Sequence, residues 1–520
     1  MLGEPKVRDI ELNELAVEDR GGARGGERDD DGGFRPVSAR SNEGEDGSGG
    51  DENGMVGVTH NGPNADALGA DQDEGGDDDE VIPGNSGKLG ACFNFVNSIV
   101  GAGVIGLPFA VAECGFVMGF LLLLVVAYFT HFSVNTLVQL GVLVKERSYE
   151  GLCRHCFGKA GFAVVSLFMA IFAFGAMCAY LVIVGDTIPV VLDHLFGVQS
   201  DRRLVVFLFA LVIILPLSLL RDMAALSWSS SLSITADGII VLLVIARAAY
   251  GVSEWPEADR GPIEPEFTFA NSSIFAGFGA ISFAYVCQHS SFIVFNTLKV
   301  PTTREWDRVN TGAVSTAMIM SVLLSLAGYL AFFNQTLPNI LNNFPCNDNV
   351  SNVARFLLAL TMVFTFPMEN FVARHSLFAI YHGFSPTLKG SRRMSSAWHF
   401  GLTLGLWGVA TIIGVAVTDL GIIIELTGAL SASMLGFILP AMCHFKVHSL
   451  RITWNKSIKA WDKDHPFYRT TLSGRLAALR DFWVPLFMLV VGIVAMIAGT
   501  YTAVRDSFEG GATENCVRTE

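Results

Sequence analysis

Charge is scarce in this chain. Of its 520 residues, 16% are Asp, Glu, Lys or Arg, against about 25% in soluble proteins. Hydrophobic residues make up 51% and the mean hydropathy is +0.45. Such a shortage of charge over this length excludes an ordinary soluble enzyme and points to a membrane protein. Motifs for chemistry are also missing. There is no Walker A sequence, which argues against ATP-driven transport by this chain alone. Neither Gly-x-Ser-x-Gly nor His-Glu-x-x-His occurs, so a membrane-embedded hydrolase has no visible machinery. No enzyme activity and no organic cofactor is expected. No extended basic stretch suggests nucleic acid. Residues 1–80 hold no apolar run, so no cleavable signal peptide is expected.

The few charges are unevenly placed. Residues 1–80 carry 23 acidic and 7 basic side chains, a net of −16, while the whole chain is −14. Glu27-Arg28-Asp29-Asp30-Asp31 and Asp77-Asp78-Asp79-Glu80 are charge runs among glycines. A segment of this kind buries too little apolar surface to offset its ordering entropy. A disordered acidic cytosolic tail is expected over 1–87, its partner unspecified.

A membrane-crossing helix needs about 20 mostly apolar residues. About eleven such stretches follow, near 89–112, 115–144, 161–192, 204–220, 227–249, 271–297, 309–333, 350–368, 398–418, 420–444 and 481–504. They are called spans one to eleven below. The chain thus reads as an all-α polytopic membrane domain over 88–504, with a short tail at 505–520. Its loops are too small for a soluble catalytic domain. Lys and Arg collect in the even-numbered gaps, about 20 against 5, and cytosolic loops carry that excess. The bias puts the N-terminus in the cytosol and the 505–520 tail on the other side. Asn334-Gln335-Thr336 and Asn349-Val350-Ser351 then fall in a non-cytosolic loop open to glycosylation. Asn455-Lys456-Ser457 falls on the cytosolic side, where it is silent.

Two spans contain glycines that a lipid-facing helix does not need. Span one reads Asn97-Ser98-Ile99-Val100-Gly101-Ala102-Gly103-Val104-Ile105-Gly106-Leu107-Pro108. Three glycines in six residues followed by Pro disfavour a continuous helix. Span six reads Gly277-Phe278-Gly279-Ala280-Ile281-Ser282-Phe283-Ala284-Tyr285 and is expected to break there. Backbone freed from helical bonding at membrane depth must be buried in protein or line a cavity. Interruptions at matching places in two halves point to a transporter binding site. Helices one and six suit two five-helix repeats plus one extra helix. Half-helix N-termini favour a carboxylate, and half-helix C-termini with unwound carbonyls favour an ammonium or a cation. The plainer reading is that the glycines only let helices pack closely.

The stretch Phe93-Asn94-Phe95-Val96-Asn97-Ser98, continuing to Pro108, resembles the first helix of the amino acid/auxin permease family. Within it, the similarity is to sodium-coupled neutral amino acid transporters and fungal vacuolar amino acid transporters. Tyr180-Leu181-Val182-Ile183-Val184-Gly185-Asp186, Phe366-Pro367-Met368-Glu369-Asn370, Gly428-Ala429 and Phe437-Ile438-Leu439-Pro440 agree, in the expected order. The resemblance covers roughly 88–504 and implies an eleven-helix LeuT-type inverted repeat, five plus five, that carries amino acids by alternating access. It implies substrate contacts at Ser98, Val100, Gly101, Ala102 and Gly103. It further implies a candidate sodium site at Asn97 with Thr361 or Thr365, oxygen ligands that suit a hard cation. Relatives with a disulfide between external loops need a cysteine in each. Here the fifth–sixth loop has none and Cys346 stands alone in the seventh–eighth loop, so that bridge is absent or rearranged.

Ionisable side chains inside spans are costly and usually face a cavity or a partner. Asp186, Asp237, Glu425, His131 and His289 are of this kind. Asp186, Asp237 and His289 are the candidates for proton coupling. Phe278, Ser282 and Phe283, beside the expected break in span six, are candidates for the substrate side-chain pocket. Cys153-Arg154-His155-Cys156 has CxxC spacing but no second ligand pair nearby in sequence, so no zinc or redox role is assigned. Gly101 to Gly106 formally fits GxGxxG, but no strand precedes it and the dinucleotide reading fails.

These features describe a secondary active transporter of amino acids, neutral ones first, coupled to Na+ or H+. The alternative is a receptor-like protein of the same fold that senses amino acids and signals through its tail. Both place a multi-pass protein in a vacuolar, lysosomal or plasma membrane, with an amino acid and the bilayer as partners.

Overall fold

A chain crossing a hydrocarbon layer must satisfy every backbone N–H and C=O internally, which helices do residue by residue. The computed structural model describes residues 87–220, 227–250, 266–384, 394–457 and 472–509. Among them nearly all are helical and no strand occurs. The acidic tail up to residue 86 and the chain beyond 509 lie outside the described residues.

Nine helices among the described residues are long and apolar enough to cross a membrane. They fall on spans two, three and five to eleven, with span six counted across its break. Spans one and four are helical in shorter pieces. Span one comprises Lys88–Ile99, Ala102–Ile105 and Leu107–Cys114. Span four runs as Arg202–Phe209, a π-helical turn Ala210–Ile214, and Leu215–Ser218.

Among the boundaries that differ from expectation, those of spans three, eight and six shape the interior. Span three begins at Tyr149, where the Ser148 side chain accepts from Gly151 N–H at 2.9 Å, and it bends at Gly158 with φ of 67° before reaching Phe196. Span eight runs from Asn349 to Phe384, well past the expected end at 368. Pro367 resembles a terminator, but inside a bundle neighbouring helices accommodate the kink and the freed carbonyl. Phe366 to Asn370 therefore lie within the helix, and Arg374 is 3% exposed, donating to Thr403 Oγ1 at 2.7 Å. Span six breaks at Val286–Cys287, between Ile274–Tyr285 and Gln288–Asn296, rather than at its glycines. Gly277 and Gly279 sit in regular helix because other backbone crosses there. A Cβ on Gly279 would lie 2.7 Å from the Glu425 carbonyl oxygen.

Burial separates centre from rim. In the apolar window of span six 89% of residues are buried, and 78% in span three, against 28% in spans nine and eleven. Outward apolar side chains such as Leu124, Ile412 and Ile497 give the rim a surface suited to lipid. Start signals set the helix ends. Thr302 accepts from Glu305 N–H at 3.3 Å to open span seven, and Asp419 accepts from Gly421 N–H at 2.8 Å to open span ten. Lys88 pairs with Glu305 at 2.7 Å, tying the starts of spans one and seven.

The seventh–eighth loop is fastened from below. Arg355 is fully buried in span eight and donates to the carbonyls of Leu341, Phe344 and Pro345 at 2.7, 2.7 and 3.1 Å. Arg247 in span five pairs with Asp348 at 3.0 Å. Cys346 does not stand alone: it is disulfide-bonded. Cys92, Cys114, Cys153, Cys156, Cys178, Cys287 and Cys443 are free, so its partner is not among the described residues.

Asn334 and Asn349 are both exposed on this loop. With the loop non-cytosolic, wild-type protein from eukaryotic cells loses mass on glycosidase treatment, and the double variant Asn334→Gln, Asn349→Gln does not. An unshifted wild-type band, with glycan acquired on a sequon inserted in the sixth–seventh loop, overturns the orientation.

Candidate functional site

The two interruptions meet. Helix Lys88–Ile99 ends with Val100 N–H donating to Val96 O at 2.7 Å, and the helix resumes with Val104 N–H donating to Gly101 O at 3.1 Å. Helix termini leave N–H and C=O groups without intrahelical partners, so the segment 97–103 presents both kinds of group. Gly106 N–H still donates to Gly103 O at 3.2 Å, which keeps the second half aligned as far as Cys114. Gly103 faces span six: a Cβ there would lie 2.5 Å from the Ala284 Cα. This places span one against the last turn before the break at Val286–Cys287.

Gly101 differs from Gly103. It is half-buried, and a Cβ on it would meet nothing within 4 Å. One glycine thus allows helix contact and the other borders open space. Val100, Ala102 and Gly103 are buried, while Asn97 and Ser98 are half-buried. The Ser98 hydroxyl donates to Asn94 O at 3.2 Å, within its own helix.

The break in span six is held by side chains that the sequence pattern did not single out. Gln288 Oε1 accepts from Cys287 N–H at 3.1 Å, and its Nε2 donates to Ser133 Oγ in span two at 2.9 Å. Ser290 and Ser291 hydroxyls donate to the carbonyls of Cys287 and Gln288 at 2.9 and 2.7 Å. Attention to glycines and charges passed over Gln288. A fully buried neutral amide inside an apolar span was the available signal, since such a group needs partners.

The pocket candidates turn two ways. Phe283 packs on Phe172 of span three, ring centres 5.5 Å apart, and Phe172 lies equally near His289. Phe278 instead packs on Phe437 of span ten at 5.9 Å. Ser282 is buried and its hydroxyl has no partner; one ring nitrogen of His289, Nδ1, is likewise unpartnered. Around span six the helices approach closely. A methyl on Gly428 would collide with the Gly279 carbonyl, which brings the π-helical turn Gly428–Ala432 of span ten against span six.

The proposed cation ligands are not joined by hydrogen bonds. Thr361 donates to Leu358 O at 2.8 Å and Thr365 to Thr361 O at 2.7 Å, both within span eight. Donation leaves lone pairs on each hydroxyl. Among the described residues no hydrogen bond links Asn97 to either threonine. Of the intramembrane acids, Asp186 is engaged: Arg202 Nε lies 3.5 Å away and Asn342 Nδ2 donates at 3.4 Å. Arg202 also donates to the carbonyls of Gly414 and Val417. This network ties spans three, four and nine to the seventh–eighth loop. Asp237 is 8% exposed and makes no ion pair or hydrogen bond among the described residues.

The family model described as "Transmembrane amino acid transporter protein" matches residues 84–468. A Danio rerio protein provisionally named sodium-coupled neutral amino acid transporter 11 is 34% identical over 373 residues, covering 71% of this chain and 81% of that protein. Vacuolar amino acid transporter 2 of Saccharomyces cerevisiae is 28% identical over 436 residues, covering 82% and 85%. Among solved structures, a nucleobase-cation-symport-1 family transporter in a closed conformation aligns at 14% identity and a TM-score of 0.45, covering 82% of this chain and 93% of that one.

The contrast between the two glycines is testable. Gly103→Ala must displace span six and lowers stability by about 1–3 kcal/mol, the usual cost of overpacking, read as a reduced melting temperature. Gly101→Ala leaves the melting temperature unchanged but crowds the open space beside it, and substrate binding weakens. Equal destabilisation by both removes the distinction.

Proposed function

This chain belongs to the transmembrane amino acid transporter family, and on that premise we propose that it carries neutral amino acids by alternating access, driven by an Na+ or H+ gradient. The observation that carries this reading is the crossing of two interrupted spans at Gly103 and Ala284, beside the open space at Gly101. A zwitterion needs donors for its carboxylate and acceptors for its ammonium. The unwound segment around Val100, Gly101, Ala102 and Gly103 offers both from one backbone. Ser282 and His289 bring unsatisfied polar atoms to span six. Phe278 and Phe283 supply apolar surface for a neutral side chain. Sodium coupling draws on the printed names of relatives such as the Danio rerio protein. It uses Asn97 with Thr361 or Thr365 as oxygen ligands. Proton coupling draws on Asp237 and His289, while the pairing of Asp186 with Arg202 favours a structural part for that residue.

Uptake of a panel of labelled amino acids into proteoliposomes tests this reading. An inward Na+ gradient is applied first, then a proton gradient without Na+. Neutral amino acids are expected to accumulate under one of the two. If Na+ is the driver, Asn97→Ala lowers gradient-driven uptake at least about tenfold, the effect of losing roughly 1.4 kcal/mol of binding. Folded protein that moves no amino acid under either gradient overturns the assignment.

A further inference from the structure

The Cys153-Arg154-His155-Cys156 pair gains in space the partner it lacks in sequence. Residues 149–157 form the first helical stretch of span three, set off from the rest by the bend at Gly158. That stretch lies against span ten. Tyr149, fully buried, donates its phenol O–H to Leu435 O at 2.9 Å, inside the π-helical turn Met434–Ile438. One turn further on, Cys153 Sγ lies 3.8 Å from Cys443 Sγ. The Cys156 thiol reaches Cys443 as well, in hydrogen-bonding contact. Three thiols from two distant parts of the chain thus share one contact, and none of them is in a disulfide.

A single buried cysteine packs as a small apolar group. Here the three-residue spacing puts two thiols on one face of a helix, and that face meets a third. A disulfide holds its sulfurs about 2.05 Å apart, so the gap between Cys153 and Cys443 closes with small side-chain and helix movements rather than refolding. Cys153 and Cys443 are sealed from solvent and Cys156 is 5% exposed, which makes Cys156 the point of entry. A Cβ on Gly158 would meet nothing within 4 Å, so the bend has room to flex and let the stretch lift from span ten. In the orientation expected from Lys and Arg this contact lies on the cytosolic side. Disulfides in that compartment are mostly transient, catalytic or redox-sensing.

We propose that Cys153, Cys156 and Cys443 form a thiol–disulfide site of this protein, and that oxidation bonds Cys443 to the CxxC pair and holds the carrier in one conformation. A small disulfide is the oxidant. Cys156 attacks one of its sulfurs, giving a mixed disulfide and one small thiol that leaves with the Cys156 proton. Cys443 then displaces the second small thiol in the same way, and Cys153 exchanges for Cys156 without further oxidation. In sum, two protein thiols lose two electrons and two protons, and one small disulfide becomes two small thiols. In a five-plus-five repeat, span three falls in the first half and span ten in the second. Alternating access rocks one repeat against the other, and a covalent tie between them opposes that motion. The locking rests on the carrier reading above, whereas the bond does not.

The test uses full-length protein in proteoliposomes, with glutathione disulfide on both faces and dithiothreitol to reverse it. Two properties are read: non-reducing peptide maps by mass spectrometry, and exchange of labelled for unlabelled amino acid. Oxidised wild type is expected to yield a peptide joining Cys443 to Cys153 or Cys156. Its exchange falls at least about fivefold, as when most molecules are held in one state, and dithiothreitol restores it. Cys443→Ala forms no such peptide and keeps its exchange under the oxidant. The double variant Cys153→Ala, Cys156→Ala behaves alike and stands in should Cys443→Ala not fold. Oxidised wild type with no bond to Cys443, or with Cys153 joined to Cys156 alone, overturns the proposal. So does a bond that leaves exchange unchanged, and so does inhibition that persists in folded Cys443→Ala. Reduced wild type that exchanges no amino acid, yet forms the bond on oxidation, overturns the carrier reading and leaves the thiol site standing.

Discussion

Everything in this fold follows from the cost of leaving a backbone N–H or C=O unbonded in an apolar layer. An uninterrupted helix meets that demand alone. Spans one and six do not, and the molecule is built around that defect. Both lie deep in the bundle, while the unbroken spans nine and eleven form its rim. The freed N–H and carbonyl of Cys287 are taken up by the Gln288 and Ser290 side chains, the Gln288 carbonyl accepts from Ser291, and Gln288 in turn is held by Ser133 of span two. The break in span one has less local help. Its segment from Asn97 to Gly103 lies between two helix ends, beside the space at Gly101.

Glycine serves two physical purposes here, and the sequence alone does not tell them apart. In span one the glycine run does mark the unwinding. In span six the glycines lie in regular helix, and the break falls at Val286–Cys287, where no helix breaker stands. Gly279 is small because the backbone of span ten crosses it at Glu425 and Gly428. Only contact between distant segments reveals that, and contact is a tertiary property. The helical class and the order of the apolar stretches were legible because hydrophobicity summed over about 20 residues is a local property. Ends were less so. Pro367 looks like a stop in isolation, yet the helix continues to Phe384 because neighbours supply what the kink removes.

Charge shows the same division. Arg355 and Arg374 lie near or beyond the ends of the apolar stretch expected for span eight, and both are buried in that helix, Arg355 donating to loop carbonyls and Arg374 to Thr403. Arg355 binds three loop carbonyls and so acts as a peg for the segment between spans seven and eight. Arg202 does the equivalent for span nine. A guanidinium has several donors in a fixed fork, which suits it to gathering carbonyls that no helix satisfies.

What separates a structural charge from a working one is whether its partners are already present. Asp186 has Arg202 and Asn342, and a proton or ion arriving there would have to displace a formed contact. Asp237 has no such contact among the described residues, and Asn370 in span eight has both amide atoms unsatisfied. A membrane interior gives no water to fill that gap, so retaining these groups costs stability unless something else binds them for part of the cycle. A carrier must bind and release its coupling ion in each turnover. A site that is permanently satisfied cannot do so. Asp237 is therefore better suited to a working role than the better-paired Asp186, although sequence position alone made the two acids look alike.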